Sequence, residues 1–141
     1  MNLKIKKLRH DAVIPEKVNN TDSGFDLTII REVKDLGEVK LYGTGLVFEI
    51  PEGYYIELFP RSSIGKTDFV MANSVGIIDQ NYRGEILIPL RKINKNTDWI
   101  QLPYRIAQAI PKIKIDCTIE EVPEISLETD RSDKGFGSSG K

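Results

Sequence analysis

Apolar residues in this chain recur at every second position, and that period limits what it can fold into. Ile113, Ile115, Cys117 and Ile119 alternate with Lys112, Lys114, Asp116, Thr118 and Glu120. Successive side chains of an extended strand point to opposite faces, so the pattern predicts a half-buried strand. Ile86, Ile88 and Leu90 alternate with Glu85 and Pro89, Tyr54, Ile56 and Leu58 with Glu57, and Leu3 and Ile5 with Lys4 and Lys6. Residues 39–50 are another β-rich stretch, in which Gly43 and Gly45 predict a bulge or a sharp bend. Pro-Glu-Gly at 51–53 marks a turn between two strands. No window of about 12 residues has the 3.6 period of an amphipathic helix, so at most a short helix is expected after Ser62-Ser63, before Val70. The expectation is an all-β fold of many short strands, a barrel or a sandwich.

With 141 residues, one domain around one core is expected. Twenty basic and 21 acidic residues leave a net charge of -1. No global field attracts nucleic acid or an anionic membrane, and neither is expected as a partner. The basic cluster Lys4, Lys6, Lys7 and Arg9 reads as the solvated side of an edge strand. A lone cysteine, Cys117, allows no intrachain disulfide and favours a reducing compartment. A lone histidine, His10, excludes the multiple His/Cys ligand sets of structural zinc. No apolar run approaches the ~18–20 residues of a membrane span. The first residues lack the apolar stretch of a signal peptide, so a cytoplasmic location is expected.

Two familiar patterns are decoys. Gly135-Phe136-Gly137-Ser138-Ser139-Gly140 matches G-x-G-x-x-G, yet a dinucleotide site needs a strand before it and a helix after it. Ile64-Gly65-Lys66-Thr67 imitates the end of a phosphate-binding loop, but Pro60 stands where that loop's first glycine belongs. Asn19-Asn20-Thr21 fits a glycosylation sequon without any secretory signal to give it meaning. Other segments hold more polar chemistry than a β core needs. Residues 73–84 read as a β-hairpin with Asp79-Gln80-Asn81 at its tip, and equally as a carboxylate base beside an aromatic wall. Pro60-Arg61-Ser62-Ser63-Ile64-Gly65 reads as a strand end and a helix start capped by Ser62 or Ser63. Free N–H groups, two hydroxyls and Arg61 would make that start an anion site. Arg105-Ile106-Ala107-Gln108 reads as a strand with a surface Arg and Gln, and Ser23-Gly24-Phe25-Asp26-Leu27 as a turn entering a strand. From Glu124 onward apolar residues thin out, and residues 130–141 read as a mobile arm. Its one aromatic, Phe136, suggests docking.

In order, SGFDL (23–27), PRSSIG (60–65), GIIDQNYRGE (76–85), RIAQ (105–108) and RSDKGFGSSG (131–140) resemble the ordered motifs of the homotrimeric dUTP pyrophosphatase (dUTPase) family. The resemblance implies a jelly-roll-like β-barrel over residues 1–123. It also implies an arm, residues 124–141, that closes over a neighbouring active site in a homotrimer with shared sites. It implies hydrolysis of dUTP between the α and β phosphates to dUMP and pyrophosphate, with Mg²⁺. That reaction limits uracil incorporation into DNA and supplies dUMP for dTMP synthesis. Under the resemblance Asp79 is the general base for the attacking water. Asn73, Gly76 and Ile78 contact the uracil, Tyr82 packs under the deoxyribose and Phe136 stacks on the base. Arg61, Ser62, Ser63, Gly65 and Gln108 hold phosphate oxygens, while Arg131, Ser138 and Ser139 clamp the terminal phosphates. Asp26 supports the metal through water, and the ion is held mainly by the phosphates. Departures from the family pattern are Leu102-Pro103-Tyr104 before Arg105, where glycine and an acid are commoner, and Asp133 and Lys134 in the arm.

Three rivals share parts of this pattern. A dCTP deaminase needs an acid/base glutamate just after the central hairpin; residues 86–90 have none, and Glu85 lies too close to the hairpin. A protein-binding regulator on the same scaffold would not need every catalytic group, yet all are present. A capsid-type jelly roll explains the strands but not the ordered polar motifs.

Overall fold

The computed structural model describes residues 1–137 and Gly140. Among them are nine strands: β1 (Lys4–Lys7), β2 (Phe25–Ile29), β3 (Arg31–Asp35), β4 (Val39–Glu49), β5 (Tyr54–Pro60), β6 (Phe69–Met71), β7 (Gly76–Ile78), β8 (Glu85–Lys92) and β9 (Tyr104–Ile113). A single 3-10 turn, Ser62–Lys66, follows β5. The strands form two antiparallel sheets, β1–β4–β8–β6 with β3 also on β4, and β2–β9–β5–β7. This is the expected all-β, jelly-roll-like architecture.

β4 organises the first sheet. Its first half pairs with β3 and its second half with β1 along one edge, while β8 occupies the other. The chain changes sheets at Ile30, between β2 and β3, where the Ile30 N–H donates to the Gly43 carbonyl at 2.9 Å. The register on β8 shifts between Gly43 and Val47, the bulge that the glycines predicted. Gly45 has a φ of +70°, which a side chain would strain. Fully buried Thr44 satisfies the bulge: its hydroxyl donates to the Ile86 carbonyl at 2.8 Å and accepts the Leu46 N–H at 3.2 Å.

Alternation carries residues into the core most clearly along β5 and β8. β8 contributes Ile86, Ile88 and Leu90, β4 contributes Tyr42, Leu46 and Phe48, and Leu27, Ile29, Ile56, Leu58 and Ile106 come from the facing sheet. Burying such side chains contributes roughly 1.5–3 kcal/mol each. β9 breaks the alternation, since Ile106 and Ala107 are both buried. There the β2–β9 register shifts, with Leu27 opposite Ala107 and Thr28 opposite Arg105. The extra residue re-aims the strand between Arg105 and Gln108.

Three expectations change. β9 ends at Ile113, and residues 114–120 are not a strand; Ile113, Ile115 and Ile119 are 72%, 84% and 94% exposed. A period of two says which side chains would share a face, but it does not supply a partner strand, and among the described residues none pairs there. Residues 73–84 are a corner rather than a hairpin, because β7 pairs with β5 in one sheet while β8 lies in the other. The 3-10 turn is capped by Arg61 (φ −72°, ψ 152°) without a side-chain hydrogen bond, and Ser62 and Ser63 lie inside it. The basic cluster does fall on an edge strand, where Lys4 pairs with Glu49 at 2.9 Å.

Tyr42 links the fold to pH. Burial, then the charges of Glu32 and Asp35, push its phenol up to about 12. Below pH 10 the hydroxyl stays protonated both folded and unfolded, and the native preference for that form is fully expressed. Between pH 10 and 12 the unfolded chain loses the proton first, so stability falls by an amount on the order of 2 kcal/mol. Melting curves of the wild type and of Tyr42→Phe across this window check it, with a shallower loss expected in the variant.

Candidate active site

The second sheet brings three of the polar segments together. β2 and β5 flank β9, so Asp26 lies opposite Gln108 on one side and Phe59 lies opposite it on the other. Arg61, just past β5, turns back over β9. Its backbone N–H donates to the Ile106 carbonyl at 2.9 Å, its Nη1 to the Arg105 carbonyl at 3.3 Å and its Nε to Asp26 Oδ1 at 2.9 Å. The second Asp26 oxygen, Oδ2, is buried without a hydrogen bond, 3.5 Å from the Arg105 guanidinium. The Gln108 amide donates to the Pro60 carbonyl at 3.1 Å. Gly24 makes room for it, since a Cβ there would lie 2.4 Å from Gln108 Oε1.

Gly24, Asp26, Arg61 and Gln108 line an open cleft of about 330 Å³ with Val18, Asp22, Ser23 and Ser62. The first N–H groups of the Ser62–Lys66 turn have no partner inside it, and they add donors beside the Arg61 cation. An anion with several oxygens suits such a rim. Ser63 lies in the same turn, and nothing crowds Gly65 there.

A second cleft, about 220 Å³, is lined by Ile77, Ile78, Asp79, Tyr82, Glu85 and Leu87. β7 holds its first wall through the pairings Ile56↔Ile78 and Leu58↔Gly76. Gly76 packs closely here, since a Cβ would lie 3.1 Å from Leu58 Cβ and 3.2 Å from the Asn73 amide nitrogen. Ser74, with φ +62°, turns the chain between Asn73 and β7. Past Ile78 the Asp79 carbonyl accepts the Tyr82 N–H at 3.1 Å, and Arg83 bonds the Gln80 and Tyr82 carbonyls, which closes the corner. Among the described residues nothing bonds the exposed Asp79 carboxylate, so its oxygens are open acceptors at the cleft. The Tyr82 ring lies over Gly84, and its hydroxyl donates to the Glu85 carbonyl at 2.9 Å.

The expected site residues therefore fall into two groups, and the two clefts share no lining residue. Arg131 and Phe136 join neither. Arg131 Nε donates to the Lys134 carbonyl at 2.9 Å within its own segment, and the Phe136 ring is fully in solvent. Ser138 and Ser139 lie outside the described residues. Sequence reasoning gave no role to Gly24 or Arg105, although both stand in segments that it singled out. Gly24 could have been found as the glycine preceding the Asp26 strand, but its partner Gln108 is distant in sequence. No group of three or more His, Cys, Asp or Glu could hold a metal ion among the described residues.

A sequence model of the dUTPase family matches residues 10–140. The chain is 43% identical over 143 aligned residues to the deoxyuridine 5'-triphosphate nucleotidohydrolase of Nautilia profundicola, covering 100% of both chains. It is 42% identical to the protein of that name from Clostridioides difficile, over 99% of this chain and 98% of the other. The solved dUTPase of Staphylococcus bacteriophage 80alpha with dUPNHPP superposes with a TM-score of 0.83 at 26% identity, over 99% of each chain. The chain belongs to the dUTPase family.

Proposed function

We propose that this dUTPase family member hydrolyses dUTP to dUMP and pyrophosphate at sites assembled between the subunits of a homotrimer. The observation that carries the proposal is the division of the site residues into two clefts. One offers a free carboxylate beside an aromatic wall; the other offers a donor-rich rim around Arg61. A nucleoside triphosphate needs both ends, and a neighbouring copy would supply the second. The exposed isoleucines after β9 support assembly as well, because they are apolar surface awaiting cover.

In this reading the corner from Asn73 to Tyr82 receives the nucleoside. Asn73, Gly76 and Ile78 present fixed polar groups and a narrow wall to uracil, and the Tyr82 ring packs under the deoxyribose. Shape alone separates near-isosteres only ~10–200-fold, so rejection of cytosine also uses hydrogen-bond groups left unpaired. Asp79 orients a water and takes its proton as the water oxygen bonds to the α phosphorus. The bond from that phosphorus to the bridging oxygen breaks, and pyrophosphate leaves. Arg61, Ser62, Ser63, Gly65 and Gln108 hold phosphate oxygens. Residues 124–141 form an arm beyond the barrel of residues 1–123. Through this arm Phe136 stacks on the base, and Arg131, Ser138 and Ser139 clamp the terminal phosphates.

A magnesium ion fits this chain only in one form. The described residues offer no cluster of protein ligands, while Asp26 Oδ2 is an acceptor without a hydrogen bond. An ion held mainly by the three phosphates would match that donor set, and Asp26 Oδ2, buried beside Arg105, would have to be uncovered to meet its water shell. When bound, the ion would neutralise phosphate charge and polarise the α phosphorus.

Among the described residues no helix is long and apolar enough to cross a membrane. We place the enzyme in the cytoplasm with its nucleotide pool. Both Glu85 oxygens are engaged by other groups, which disfavours a deaminase reading. A regulatory role can coexist with turnover: the bacteriophage 80alpha dUTPase is described as controlling transfer of virulence genes.

Pyrophosphate release from dUTP, dCTP, dTTP and UTP, with Mg²⁺ and with EDTA, tests the reading. Mg²⁺-dependent release from dUTP alone is expected; release from none by an intact trimer would favour the regulator. Asp79→Ala should abolish turnover and spare dUTP binding, read by calorimetry beside the rate assay. Deletion of residues 131–141 should leave a folded trimer with little activity, and a monomer on light scattering would make the arm structural instead.

A further inference from the structure

The corner that holds Tyr82 hangs between two sheets, with β7 entering it from one and β8 leaving it in the other. Glu85, the first residue of β8, is where the second stem is fixed. Its side chain is 12% exposed and stands in the wall of the Asp79 cleft. Oε1 accepts the Gly45 N–H from the β4 bulge at 2.8 Å, and Oε2 accepts from Arg31 Nη2 of β3. Gly43 provides the space, since a Cβ there would lie 2.4 Å from Glu85 Oε1. The backbone carbonyl of Glu85 takes the Tyr82 hydroxyl at 2.9 Å. A charged, largely buried carboxylate thus ties β3 and the bulge to the group that holds the Tyr82 ring.

We propose that Glu85, with Arg31, is a positioning residue that sets Tyr82 against the sugar and so governs discrimination between deoxyribo- and ribonucleotides. The inference rests on the reading of Tyr82 as the surface under the deoxyribose. Asp79 follows directly on β7, whose ladder on β5 fixes that side of the corner as far as Ile78, and the Glu85 carboxylate makes no hydrogen bond with it. Loosening the β8 stem therefore acts first on the sugar surface, and reaches Asp79 only through the Tyr82 N–H bond to its carbonyl. A steric surface discriminates only while its position is fixed, and a ring free to retreat admits the 2′-hydroxyl.

The test compares kcat and kcat/KM for dUTP and UTP in the full chain. Glu85→Gln keeps the shape and an acceptor for the Gly45 N–H but removes the charge facing Arg31. The double variant Arg31→Met/Glu85→Gln removes both charges and leaves no unpaired ion, so it serves where a single change destabilises the fold. Tyr82→Ala gauges the underlying reading. We expect the dUTP-to-UTP ratio of kcat/KM to fall about tenfold in both Glu85 variants. An unchanged ratio in both, with Tyr82→Ala lowering it, would overturn the inference. A fall in kcat for dUTP with the ratio intact would also overturn it, by showing a merely structural role. An unchanged ratio in Tyr82→Ala would instead remove the sugar reading and this inference with it.

Discussion

Backbone hydrogen bonding along β4 is the constraint from which the rest of the molecule follows. A strand inside a sheet must pair both edges, because each buried peptide group without a partner costs about 1–3 kcal/mol, enough to cancel the burial of a large side chain. β4 is 11 residues long, and no single neighbour covers it. One edge is shared between β3 and β1, and the other belongs to β8. Between Gly43 and Val47 the β8 ladder is interrupted, and side chains fill the gap. Thr44 reaches Ile86, and Glu85 reaches back to Gly45. The fold is thus closed by polar side chains at the point where its ladder fails, next to the corner that carries Asp79 and Tyr82.

The anion cleft shows how local electrostatics can work in a chain of net charge -1. Asp26 is 15% exposed and sits between two guanidinium groups, Arg61 at 2.9 Å and Arg105 at 3.5 Å. The Asp26 carboxylate holds the Arg61 side chain in one geometry, so the guanidinium is fixed beside the donors of the cleft. Preorganised donors need no rearrangement when a charged ligand arrives. Gln108 is fixed in the same way by the Pro60 carbonyl and by the space above Gly24.

Much of this was legible in the sequence. Alternation at Ile86, Ile88 and Leu90 marked a strand with one face inward, and Gly43 and Gly45 marked the bulge. The polar segments were recognisable as an ordered set that resembles the dUTPase motifs, whereas Asp26 and Gln108 taken singly read as a turn entering a strand and a surface residue. What could not be read was which edge each strand would find. β7 and β8 are separated by a short turn that suits a hairpin, yet long-range pairing with β5 and β4 draws them into different sheets. The Glu85–Arg31 pair spans 54 positions, and no local pattern announces it. The isoleucines after β9 misled for the opposite reason: their period is real, but nothing within the described chain completes it.

That exposed apolar run would make the molecule's stability depend on how many copies share the solution, if a neighbouring copy covers it. Ile115 and Ile119 are 84% and 94% exposed, and full burial of such a side chain contributes roughly 1.5–3 kcal/mol. If that burial comes from a neighbouring copy, it is lost on dilution, and mass action ties the folded fraction to total protein. Dilution would then act on this protein as a mild denaturant, and a cell could lower its activity more than proportionally by making less of it.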